Sequence, residues 1–105
     1  MFLGVVPAWS QATTGTITGR AVDGSGAVLP GVAVQISSPA MIGGARDATT
    51  DSLGTYRFKQ VPPGVYQVVF RLTSFRDFTV GSVVVVANGT TTVNAPLQEI
   101  GRAHV

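Results

Sequence analysis

Five carboxylates, Asp23, Asp47, Asp51, Asp77 and Glu99, are the only acidic side chains in this chain of 105 residues. Carboxylate-based hydrolysis needs two such groups opposed across a cleft. Asp23 and Asp51 are the pair to weigh. Both sit in turn sequences, Asp23-Gly24-Ser25-Gly26 and Asp51-Ser52-Leu53-Gly54, and two turns can converge at one end of a β-domain. An aspartate in such a turn also accepts backbone N–H bonds locally, and that structural role is the expectation for both. A calcium site needs six to eight oxygen ligands, and no Asp-rich loop supplies them. Ser and Thr are plentiful, but a hydroxyl nucleophile needs a base beside it. The single His, His104, lies in the last residues of the chain, where no catalytic role is built on it. There is no Cys, which excludes disulfides, thiolate metal sites and Cys nucleophiles. No catalytic, cofactor-binding or metal-binding residue is therefore assigned, and no enzyme activity is expected.

Basic residues are equally sparse. Arg20, Arg46, Arg57, Lys59, Arg71, Arg76 and Arg102 are scattered, and the net charge is +2. That is no footprint for a phosphate backbone, so nucleic acid is not an expected partner. Arg57, Lys59 and Arg71 are candidates for a small outer patch. Trp9, Phe75 and Phe78 stand outside the clearest strands. Sugar-binding sandwiches use exposed aromatics, but Phe75 and Phe78 are expected to cap the core. The strip around Val83 and Val85 is the better candidate for contact with another domain, because exposed apolar strand faces mark interfaces.

The elements that position these residues are strands. Charged residues make up 11% of the chain, and 13 Gly and 6 Pro give it many turn formers. That balance argues against a helical bundle and against disorder. Apolar residues recur with period two between turn signals. A first strand runs from about Thr14 to Val22, with Ile17, Gly19 and Ala21 on one face and Thr16, Thr18 and Arg20 on the other. Pro30-Gly31 opens a second strand, Val32 to Ser37, with Val32, Val34 and Ile36 inward. A loop from Pro39 to Ala45 leads to a short polar edge strand, Arg46 to Thr50. Tyr56 and Phe58 then face the core while Arg57 and Lys59 stay wet. Val61-Pro62-Pro63-Gly64 stops that strand, and Val65 to Leu72 follows, with Tyr66, Val68, Phe70 and Leu72 on one face. Asn88-Gly89 is the favoured dipeptide of a two-residue type I′ hairpin. It would place Val84, Val86, Val93, Ala95 and Leu97 inward and Val83, Val85, Thr90, Thr92 and Asn94 outward. About seven strands with aromatic-rich faces require two sheets packed face to face. One sandwich of about 85–90 residues has a core large enough to stand alone.

Three segments in order resemble a known family. Gly15-Thr16-Ile17-Thr18-Gly19, Asp23 and Leu29-Pro30-Gly31-Val32-Ala33-Val34 form the first. The second is Thr50-Asp51-Ser52-Leu53-Gly54-Thr55-Tyr56-Arg57-Phe58, and the third is Val61-Pro62-Pro63-Gly64-Val65-Tyr66-Gln67-Val68. Together they look like a carboxypeptidase regulatory-like domain over roughly Thr14 to Leu97. The resemblance implies an all-β, seven-stranded Greek-key sandwich of the transthyretin type, with Tyr56, Phe58, Tyr66 and Phe70 filling it. It implies a non-catalytic accessory domain. Related surface sandwiches carry Lys–Asn isopeptide links; Lys59 is the one Lys, and its expected exposure argues against such a link. Ser74 stands before Phe75 where family members often have Gly, so that loop is expected to differ.

The ends give further expectations. Residues 1–10, apolar and ending in Ala8-Trp9-Ser10, read as a partial export signal. They are too short to span a membrane, and no transmembrane segment is expected. Residues 11–98 are the sandwich. Residues 99–105 continue no earlier pattern, and one permitted back-translation resembles a sequencing adapter, so a non-native tail is expected. An export signal followed at once by this domain resembles the start of many TonB-dependent outer-membrane receptors. That implies a periplasmic or outer-membrane location and plug and barrel domains as neighbours. The alternatives are a carbohydrate-binding or adhesive module of a secreted protein, with a glycan as partner, and the scaffold domain of a zinc carboxypeptidase.

Overall fold

The computed structural model describes residues 13–39 and 44–100. The signal-like residues 1–10, Trp9, Gly43 and His104 lie outside them. Every element among the described residues is a strand: β1 (Gly15–Val22), β2 (Ala33–Ser37), β3 (Arg46–Thr49), β4 (Thr55–Val61), β5 (Gly64–Arg71), β6 (Phe78–Val85), β7 (Thr90–Thr92) and β8 (Ala95–Pro96). They form two sheets. One has the order β4-β1-β7, with β8 also on β1, and the other runs β3-β2-β5-β6. β7 and β8 lie parallel to β1, and the remaining pairs are antiparallel.

The period-two pattern becomes the space between the sheets. Ile17, Ala21, Val34, Ile36, Val68, Phe70, Ala95 and Leu97 are sealed in it. Tyr56, Phe58, Tyr66 and Phe70 are all at most 2% exposed, as expected. Tyr56 meets Phe58 and Phe70 edge-on, with ring centroids 5.9 and 5.5 Å apart. Burying each such ring contributes roughly 1.5–3 kcal/mol. Phe75 and Phe78 are half-buried and pack against this core, Phe78 tilted against Phe70 at 6.1 Å. β3 is the short polar edge that the sequence suggests. Its Arg46 guanidinium lies 5.6 Å from the centre of the Phe58 ring and donates to the Gln60 carbonyl at 3.3 Å, which closes one open side of the sandwich.

The expected hairpin at Asn88-Gly89 does not form. β6 pairs with β5 in one sheet, and β7 pairs with β1 in the other. The Gly89 N–H instead bonds the Val86 carbonyl at 3.1 Å, with Asn88 at φ 61° as the third residue of the turn. This corner is stitched to the start of β1: the Asn88 N–H bonds Thr14 O at 2.8 Å, and the Thr16 N–H bonds Gly89 O at 2.9 Å. The open edge of β1 outcompetes the local hairpin preference.

The inward and outward sets of β6 are also corrected. Val83 and Val85 are buried, and Val84 and Val86 are exposed. The cause is a β-bulge. Tyr66 pairs with Val83 but Val68 with Val80, so β6 carries one extra residue near Ser82, which sits at φ 57°. One extra residue flips every side chain beyond it. On the last stretch of chain, Val93, Ala95 and Leu97 point inward as expected.

Candidate functional site

The two turn aspartates lie at the same end of the sandwich, where β1 ends and β4 begins. Each is engaged within its own turn. Asp23 accepts from the Ser25 hydroxyl at 2.7 Å, the Ser25 N–H at 2.8 Å and the Ala27 N–H at 3.0 Å. Asp51 accepts from the Leu53 N–H at 2.9 Å and the Thr55 N–H at 3.0 Å. The Ser25 hydroxyl and N–H hold the Asp23 carboxyl below its ordinary range. The Thr55 and Leu53 N–H groups, helped by the charge of Arg20, do the same for Asp51. These are carboxylates poised to stay ionised and hold turns, the opposite of a general acid. Gly54 completes the second turn at φ 76°, a region that a Cβ disfavours.

Asp47 accepts from the Gln35 side chain at 3.1 Å, and Asp77 pairs with Arg71 at 3.2 Å on an exposed surface. The backbone of Glu99 forms an isolated antiparallel β-bridge with Phe75, and the Ile100 N–H bonds Ser74 O at 2.9 Å. Among the described residues no three His, Cys, Asp or Glu side chains gather as metal ligands.

The motif threonine and tyrosines carry interior hydrogen bonds that sequence inspection alone does not assign. Thr50, 4% exposed, donates its hydroxyl to Leu29 O at 2.7 Å and accepts from the Val32 N–H at 2.9 Å. Tyr66 donates to Pro62 O at 2.7 Å, tying the Pro62-Pro63-Gly64 corner where the chain passes from one sheet to the other. Tyr56 crosses β1 above Gly19 and donates to Val93 O at 2.5 Å. A Cβ on Gly19 would lie 1.8 Å from that carbonyl oxygen, so only glycine admits the approach. Burial pushes the hydroxyls of both tyrosines upward, so both remain donors. The signal for all three was their place in the motif segments.

The outer surfaces differ from expectation. Arg57 and Lys59 lie on the first sheet's outer face, but Arg71 is on the other sheet, bound to Asp77. The expected three-residue patch is therefore split, and Arg20 of β1 joins Arg57 and Lys59 instead. The apolar strip is also relocated. Val65 and Val84, paired across β5 and β6, and nearby Val86 are 55–57% exposed.

The sequence model of the carboxypeptidase regulatory-like domain matches residues 16–98. The chain belongs to this family. No curated protein sequence matches it. Solved structures share the fold of this regulatory-like domain at low identity. GBS52, the minor pilin of Streptococcus agalactiae, aligns with a TM-score of 0.65 and 18% identity over 90% of this chain and 48% of that one. The 3-chlorocatechol 1,2-dioxygenase of Rhodococcus opacus 1CP aligns at 0.65 with 12% identity, over 90% of this chain and 64% of that one. A putative carbohydrate-binding protein of Bacteroides uniformis aligns at 0.62 with 22% identity, over 78% and 40%. The domain thus spans less than two thirds of each of these chains. At such identities the likeness is one of fold.

Proposed function

We propose that this regulatory-like domain is a non-catalytic accessory module of a longer exported protein. The parent that best fits is a TonB-dependent outer-membrane receptor, with the domain in the periplasm at its N-terminus beside the plug and barrel. One observation carries the non-catalytic reading. The polar residues of the family segments, Thr50, Asp51, Tyr56 and Tyr66, are occupied in holding turns and crossing points. The signal-like residues 1–10 support export. Two geometric features support a module working among neighbours. The chain passes Thr14 beside Asn88 at one end of the sandwich and Ser74 beside Ile100 at the other. The exposed Val65, Val84 and Val86 offer an apolar contact surface.

The test is a fusion of the full chain to a reporter that matures only after export, together with a read of the gene beyond Leu97. Reporter activity with a plug and barrel downstream supports the proposal. A silent fusion, or a peptidase domain downstream, refutes it. A module that stacks neutral sugars on exposed aromatics is the less favoured reading, because Phe75 and Phe78, the aromatics it would use, pack against the core.

A further inference from the structure

The outer face of the first sheet is a trough with a charge of its own. Its floor is β1, where the outward residues Thr16 and Thr18 are short. One wall is β4 with the long side chains of Arg57 and Lys59; the other is Thr90 of β7 and, further along, Asn94 and Pro96, with Val22 making that end of the trough more apolar. Two open depressions, of about 410 and 580 Å³, meet at Thr18 and make the trough continuous along β1. Eight residues of strand give it a length of roughly 26 Å. Arg20, Arg57 and Lys59 are exposed and bring three positive charges. None of the five carboxylates lines it. Asp51 acts on Arg20 from the adjoining turn, and Asp77 is held by Arg71 on the far sheet.

The geometry points to an anionic polysaccharide, a polymer of uronic acid sugars, as the occupant of this trough. The chemistry selects it over its rivals. No aromatic side chain lines the trough, so neutral sugars and nucleic-acid bases have nothing to stack on. An acidic peptide gains affinity by pairing its backbone with a free strand edge, but this trough runs over the middle of a sheet. What the face does offer is guanidinium and ammonium groups for carboxylates. Beside them, the Thr16 and Thr90 hydroxyls and the Asn94 side-chain NH2 serve sugar hydroxyls, while the Thr18 hydroxyl is donated to Tyr56 O and Asn94 Oδ1 accepts from the Arg20 N–H. A polyuronate carries both groups on every unit. The inference stands on the face alone and holds whatever the parent protein is.

The test is titration of the full chain at low salt with three probes: polygalacturonate, polyglutamate and dextran. The double substitution Arg57→Ser with Lys59→Ser removes two exposed side chains that hold no strand together, and unchanged far-UV circular dichroism confirms its fold. Arg71→Ser, on the opposite sheet, is the control for diffuse charge. Polygalacturonate is expected to bind, with affinity lost about tenfold in the double variant and unchanged in Arg71→Ser. Absence of binding at low salt overturns the inference. So does equal weakening by Arg71→Ser, and so does polyglutamate binding as tightly as polygalacturonate, which would assign the face to an acidic polypeptide.

Discussion

Replacing Tyr56 by Phe removes one oxygen from the centre of the sandwich and leaves everything else in place. The ring is 2% exposed and held between Phe58 and Phe70, so its packing survives. What goes is the bond to Val93 O, which then faces the interior without that donor. The loss of a buried hydrogen bond and the desolvated carbonyl left behind together cost about 2 kcal/mol. For a domain of this size that lowers Tm by about 8–16 °C. Gly19→Ala attacks the same crossing from the other side. Its Cβ would force Val93 away from β1, breaking the Val93 N–H bond to Thr18 O as well as the tyrosine bond. That change should cost about 3 kcal/mol or more. Since both variants break the tyrosine bond, the double variant should fall short of their sum by about 1–2 kcal/mol. Urea unfolding followed by far-UV circular dichroism measures all three. A Tyr56→Phe variant within about 0.3 kcal/mol of the parent, or strict additivity in the double variant, would show that the crossing is not built this way.

Other predictions follow from the same contacts. Thr50→Val keeps the shape but leaves the Val32 N–H and Leu29 O unpaired, and should cost about 2–3 kcal/mol by the same urea assay. Ser74 sits at φ 75° in a turn closed by the Phe75 N–H on Leu72 O, so Ser74→Gly should raise stability by about 1 kcal/mol; a loss would contradict the strain. Asp23 and Asp51 titrate below their ordinary value in the folded state, so the unfolded chain takes up their protons first. Their contribution is complete above the ordinary carboxylate range and is lost as pH falls through the folded values. The urea midpoint should therefore drop between about pH 5 and 2, with a shallower drop in the Asp23→Asn, Asp51→Asn double variant. An unchanged slope would remove these turns from the acid response.

The core was legible because its signal is local. Strict alternation in β1, β2, β4 and β5 assigned Ile17, Val34, Tyr56 and Phe70 to the interior, and both Asx turns followed from Asp and Gly at fixed spacing. The sheet partners were harder. Asn88-Gly89 reads as a hairpin in isolation, yet the competing edge of β1 is more than seventy residues away in sequence. The inward set expected for β6 rests on the hairpin register at Asn88-Gly89; with that pairing lost to β1, and a bulge near Ser82 that has no Gly or Pro at the left-handed residue itself, Val83 exchanged places with Val84. The outer faces failed for the same reason. Which basic residues share a surface depends on sheet membership, and Arg71 belongs with Asp77 on one sheet while Arg20 belongs with Arg57 on the other. The threonine and tyrosine bonds lay inside recognisable motif segments, but their acceptors, Leu29, Pro62 and Val93, are backbone atoms that carry no residue-type signal.

If the sandwich works by contact with neighbouring domains, its exposed apolar strip must touch them in the assembled protein. Photo-crosslinking from position 84 of the full-length protein in its native cells reads that contact. The side chain there is exposed on the apolar strip and engages nothing in the sandwich core. Adducts to a neighbouring domain of the same chain or to another envelope component are expected, and are lost when Val65 and Val86 are both changed to Lys. A position 84 that stays free of adducts in the assembled protein would contradict it.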